Sequence, residues 1–198
     1  MQLFPLNALT DAEPVIDFSR REFLELPLYG VAMGRSVLYT LDGVINYESD
    51  PKGGARTLSV IYRSGTLELC GYSVLREYEG QLIFSPAHVT KIAKAIRDSC
   101  AFLQSANLAT DVFVFCSLVN CQGGRLILGN VHFASDVDEW EGVDRAVLTL
   151  PSVYLDNLKD EARVMRQFRP MFDALWNAAG RSHCPHYDPN GDWQTPQL

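Results

Sequence analysis

The chain has 198 residues, 47% of them hydrophobic, which is enough to bury one core and predicts a single main domain. Its formal charge is −7, from 24 acidic and 17 basic side chains, and the acid excess falls in residues 101–198, which disfavours broad contact with phosphate backbones. No run approaches 18 apolar residues, which excludes a membrane-spanning helix, and five cysteines without tight spacing make a poor disulfide framework and predict a reducing, cytoplasmic setting.

Residues 1–27, with Pro5, Pro14 and Pro27, read as an N-terminal arm or partial helix ahead of a domain over 28–180 and a tail over 181–198. Leu28 to Leu41 predicts a strand interrupted near Gly34, and Asp42-Gly43 predicts a hairpin turn into Val44–Tyr47. After the polar loop Ser49–Gly54, the segments Thr57–Tyr62 and Thr66–Tyr72 predict two further strands around Arg63-Ser-Gly65. In the second, Leu67, Leu69 and Gly71 share one parity and Thr66, Glu68, Cys70 and Tyr72 the other, the pattern of an antiparallel sheet with one wet face. Leu82–Phe84 is a short strand leading to a helix that Ser85 caps and Pro86 opens. Val89, Ile92, Ile96, Cys100 and Leu103 recur at three- and four-residue steps and form its apolar stripe, up to about Ser105.

Asp111–Leu118, rich in β-branched and aromatic residues, predicts an interior strand, with Arg125–Leu128 as its antiparallel neighbour beyond the turn Gln122-Gly-Gly124. Ala146–Leu150 predicts another strand, stopped by Pro151. The last helix starts between Asp160 and Pro170, and Val164, Phe168, Phe172, Leu175, Trp176 and Ala179 give it an apolar face. Pro170 must kink or restart it, and Gly180 ends it. Strands, helix, strands, helix make an α+β fold: a mainly antiparallel sheet with two principal helices.

The chemistry is sparse. Gly53-Gly54 and Gly123-Gly124 are turn glycines rather than phosphate loops, and no cofactor is expected. Beyond the last helix, His183, Cys184 and His186 bring together nitrogen and sulfur donors of the kind zinc accepts, but a structural zinc site takes about four ligands. The tail is therefore expected to pack without a metal, with Tyr187 and Trp193 as anchors over Phe172 and Trp176. The acidic run Asp136–Asp144 lacks the spacing of a calcium loop; Trp140, flanked by Asp138, Glu139 and Glu141, is the candidate partner contact. Two functional classes follow. The favoured one is a non-catalytic protein-interaction or sensor/accessory domain that meets a protein partner or itself and binds no nucleic acid and no membrane. The alternative is a small-molecule-binding protein or hydrolase with a pocket near His132 and Cys121.

Val164-Met-Arg-Gln-Phe-Arg-Pro-Met-Phe-Asp-Ala-Leu-Trp-Asn-Ala-Ala-Gly180 and the closing Tyr187-Asp-Pro-Asn-Gly-Asp-Trp193 resemble the end of a group of large prokaryotic proteins. In that group an N-terminal Alba-type DNA-binding domain, related to Schlafen proteins and often labelled ATP-binding, precedes a C-terminal region that this chain resembles over about residues 57–193. Asp111–Leu118 and Gly123-Gly-Arg-Leu126 resemble the central strand pair of that region. These 198 residues contain no Alba-type domain, so its DNA- and nucleotide-binding roles are not carried over, and the resemblance supplies no catalytic residue.

Overall fold

The structure, a computed structural model, describes residues 1–9, 16–29, 35–49, 54–72, 74–78, 81–84, 87–126, 142–178 and 180–194. Local turns build the first half of the sheet. Strand β2 (Ser36–Tyr39) reverses into β3 (Gly43–Ser49) where Thr40 N–H donates to Gly43 O at 2.8 Å. The chain then returns through β4 (Ala55–Tyr62) and β5 (Leu67–Gly71), the latter pair joined by a turn in which Gly65 N–H donates to Tyr62 O at 2.9 Å.

The other strands come from far along the chain. They are β1 (Gln2–Pro5), β8 (Val112–Phe115) and β12 (Val153–Leu155), and the sheet runs β12-β8-β1-β5-β4-β3-β2, antiparallel throughout. β8 is an interior strand, between β12 and β1, and Leu3 pairs with Val114 on one side and Leu67 on the other. β6 (Leu75–Tyr78) and β7 (Gln81–Phe84) form a hairpin, and β9 (Ser117–Val119) pairs antiparallel with β11 (Val147–Thr149). One expectation needs correction. The strand at 125–126, β10 (Arg125–Leu126), does not pair with β8; it joins β7 in parallel, the one parallel pair among the described strands. A parallel partner some 40 residues away leaves no local turn signal to read.

The first principal helix, α1 (Ala87–Ser105), buries Val89, Ile92, Ile96, Cys100 and Leu103, the stripe that its periodicity predicts. The second helical stretch is split into α2 (Glu161–Gln167) and α3 (Arg169–Asn177), which meet at Phe168. Asp160 caps α2 by accepting from Arg163 N–H at 3.0 Å. Pro170 cannot donate into the ladder, so it restarts the helix within its first turn.

These elements cover only one face of the sheet. Leu3, Val44, Ile61, Leu67, Leu69, Val112, Val114, Val153 and Leu155 point inward and pack in one core with the helices. Under β3 and β4 the covering layer is residues 16–29, irregular but for one 3-10 turn at Arg21–Leu24, whose Phe23 and Leu26 are fully buried. An irregular segment carries backbone groups that no ladder satisfies. Here the sheet satisfies them with side chains: Asn46 Oδ1 accepts from Leu26 N–H (3.3 Å) and Asn46 Nδ2 donates to Phe23 O (3.1 Å). Thr57 Oγ1 accepts from Tyr29 N–H at 3.1 Å, and the Ser59 hydroxyl donates to Pro27 O. Asn46, Thr57 and Ser59 are all buried, which is tolerable only because each is bonded in this way.

Candidate functional site

The alternation of β4 is inverted relative to an ordinary half-buried strand. Its polar Thr57 and Ser59 face the core, while Leu58, Val60 and Tyr62 face away from it. The same outward face continues across the sheet. Ile45 pairs with Val60 and with Leu38 on β3 and β2. On the other side Phe4 pairs with Phe113, and Phe113 with Tyr154. β8 reads Val-Phe-Val-Phe, apolar on both sides, which is the pattern of a strand covered on both. Yet both principal helices lie on the inner side, and Leu38 (52%), Phe115 (44%) and Tyr154 (43%) are exposed on the outer one. Val60 is buried by its neighbours without joining the main core.

Aromatic rings order this face. Phe4 meets Phe115 edge-on with centroids 5.6 Å apart, and Phe113 lies 5.0 Å from Tyr154. Its central strand, β5, carries one carboxylate, Glu68, both of whose oxygens are occupied: Gln2 Nε2 donates to Oε1 (3.2 Å) and the Tyr62 hydroxyl to Oε2 (2.8 Å). The bond to Glu68, reinforced by burial, pushes the Tyr62 hydroxyl up to about 12. At the margin Tyr154 donates to Asp111 Oδ2 at 3.0 Å. The result is an aromatic cluster over β1, β8 and β12 beside a central carboxylate whose hydrogen bonds are already made within the face.

The residues singled out in the sequence are placed as follows. Trp140, Asp138, Glu139, Glu141 and His132 lie outside the described residues. Cys121 is buried, and its thiol is shared among the carbonyls of Arg145 (3.3 Å), Ala146 (3.5 Å) and Leu118 (3.6 Å), a packing role in the β9–β11 corner. In the tail, Gly180 takes the left-handed φ of +72° that helix reversal needs, and Arg181 N–H donates back to Trp176 O at 2.9 Å. Tyr187 is buried with its hydroxyl on Met165 O (2.7 Å), and it forms an isolated bridge with Trp193, whose ring lies 5.1 Å from Phe172. Cys184 is buried, its N–H donating to Asp173 Oδ1 (2.8 Å), and burial pushes its thiol up to about 11. His183 Nδ1 bonds the Ser182 hydroxyl at 2.8 Å, whereas His186 lies between Trp176 and Trp193, so the two imidazoles have separate roles. Among the described residues no three His, Cys, Asp or Glu side chains converge as metal ligands, and no helix is long and apolar enough to cross a membrane.

The outer face is weakly marked in the sequence. The available signal was the unbroken apolar run in β8 together with the inverted parity of β4. Comparison of the chain with protein-family models, with curated proteins and with solved structures gives no match in any of the three.

Proposed function

We propose that this chain is a non-catalytic interaction domain that pairs with a second copy of itself through the outer face of its seven-stranded sheet. The observation that carries the reading is that face: mainly apolar and aromatic from Tyr154 to Leu38, with its one central carboxylate already bonded, and with no helix upon it among the described residues. Its size suits the role. The seven strands average five residues, which gives a face of roughly 34 Å by 17 Å. Two such faces together hide roughly 1,100 Å², just above the ~1,000 Å² that a specific interface requires. Two sheets pack face to face about 10 Å apart, with their strands inclined by about 30°. The proposal retains the resemblance of residues 57–193 to the C-terminal region of the Alba-type proteins, where a pairing domain would serve the accessory role.

Sedimentation velocity over a concentration series tests the reading. The expected result is a monomer–dimer equilibrium that Phe115→Lys and Tyr154→Lys shift to monomer, while Leu41→Lys, at an exposed apolar position outside the sheet strands, leaves it unchanged. A wild-type chain that stays monomeric up to millimolar concentration removes the self-pairing role.

A further inference from the structure

A cavity of about 370 Å³ opens on the other side of β5, between that strand, α1 and the β8–β9 segment. This is within the usual size range of small-molecule sites. Its floor is apolar and buried: Leu69 from β5, and Ile92 and Ala95 from α1. Its mouth is wetter, with Ser117, Asn120 and the exposed Val119 and Tyr72 around it. No Asp, Glu, Lys, Arg or His side chain among the described residues lines it. A cation in this space would lose its water without gaining an opposite charge, a cost of several kcal/mol, and the one charge at the wall, the Met1 ammonium, already donates to Leu69 O at 2.8 Å.

One wall is built around Tyr29. Its N–H is held by Thr57, and its ring lies directly over Gly71. A Cβ at residue 71 would stand 2.7 Å from Tyr29 Cγ, so a side chain there displaces the ring. The hydroxyl is 2.7 Å from Nδ1 of His88, a buried residue on the first turn of α1, and the two rings are parallel to within 8°. Burial raises Tyr29 well above the ordinary tyrosine value, and the thiol of Cys116, another wall residue, acts in the same direction, so the phenol stays protonated. Whichever group supplies the proton between Tyr29 and His88, the Tyr29 oxygen keeps an unused role. It accepts if its hydrogen goes to Nδ1, and it donates if Nδ1 carries the hydrogen.

A ligand hydroxyl answers both cases, and the Tyr29 and Tyr72 rings favour a flat partner. We infer that this cavity binds an uncharged molecule of one or two rings bearing a hydroxyl group, a phenol or cyclic alcohol, whose hydroxyl pairs with Tyr29. This site is independent of the outer sheet face, which lies on the opposite side of β5.

The test is a titration of the full chain, followed by protein NMR, with 2-naphthol, naphthalene and 2-naphthoate. The expected result is saturable binding of 2-naphthol, about five- to tenfold tighter than naphthalene, as one net hydrogen bond implies, and tighter than 2-naphthoate, whose carboxylate must give up its water. Tyr29→Phe should bring 2-naphthol down to the affinity of naphthalene without changing naphthalene itself. Ala95→Phe, which fills the floor, should abolish binding of all three. Val119→Trp, at an exposed position on the mouth, is the second blocking variant if the first does not fold. Absence of saturable 2-naphthol binding, binding that survives a folded blocking variant, or a preference for 2-naphthoate each overturns the inference.

Discussion

The inner face of the sheet is closed in two different ways, and the contrast explains how this sequence divides its polar residues. Toward β12 and β8 the cover is helical: α1, α2 and α3 satisfy their own backbones and bury Ile96, Leu103, Phe168 and Trp176 in the core. Toward β3 and β4 the cover is residues 16–29, which satisfy their own backbone only around the 3-10 turn at Arg21–Leu24, so the sheet supplies Asn46, Thr57 and Ser59 to the rest. A helix can be held by apolar contact alone, whereas an irregular layer needs buried polar side chains set opposite its peptide groups. The two halves should therefore fail differently.

The helical half should lose the most from a single truncation. Trp176→Ala empties a fully buried site under the tail and should cost about 3–5 kcal/mol, read as a fall in melting temperature with amide exchange rising throughout the domain. Asn46→Ala removes little volume but orphans the Leu26 N–H and the Phe23 carbonyl, and it should cost about 2–4 kcal/mol. Its signature is regional: exchange and proteolytic cleavage should rise first in residues 16–29 while α1 stays protected. Uniform loss of protection in Asn46→Ala would mean that the two halves do not open separately.

Smaller effects should sharpen the contrast within the helical half. Tyr187→Phe deletes the bond to Met165 O and should cost about 1–2 kcal/mol by denaturant titration. His186 adds a pH dependence. Burial lowers its pKa below the ordinary 6.5, so the unfolded chain binds the proton more readily. Its contribution to stability is complete above 6.5 and is lost as the pH falls from there through the lower folded value. Wild-type stability should thus drop more steeply than that of His186→Gln over this window, and parallel curves would contradict the assignment.

Much of the architecture is legible from local pattern. The stripe from Val89 to Leu103 specifies α1, Asp42-Gly43 marks the β2–β3 reversal, and Pro170 marks the break between α2 and α3. The parts that are not legible depend on distant partners. β1 is four residues long and gains its strand character from β5 and β8 on either side; nothing within Gln2–Pro5 announces it. Thr57 and Ser59 look like surface positions of a strand until residues 16–29 are seen beneath them. Tyr29 and Gly71 form a wall of the cavity through a close approach across 42 positions, and neither is distinctive alone. Trp140 and its acidic neighbours, together with His132, lie outside the described residues, so the partner contact read into that run stays a sequence expectation.

The placement of β1 also bears on the order of assembly. Gln2–Pro5 are synthesised before every other described strand of the sheet, yet they insert between β5 and a strand more than 100 positions later. The β2–β3–β4–β5 meander can form as soon as residue 71 emerges, and β1, already made, can add to the edge of β5, but the other edge of β1 then waits for β8 at 112–115. Such long-range pairing places folding among the slow, high-contact-order cases, on the order of milliseconds to seconds. During that interval β1 presents an open edge to other nascent chains, and chaperone protection of it would matter more than for a sheet built wholly from successive hairpins.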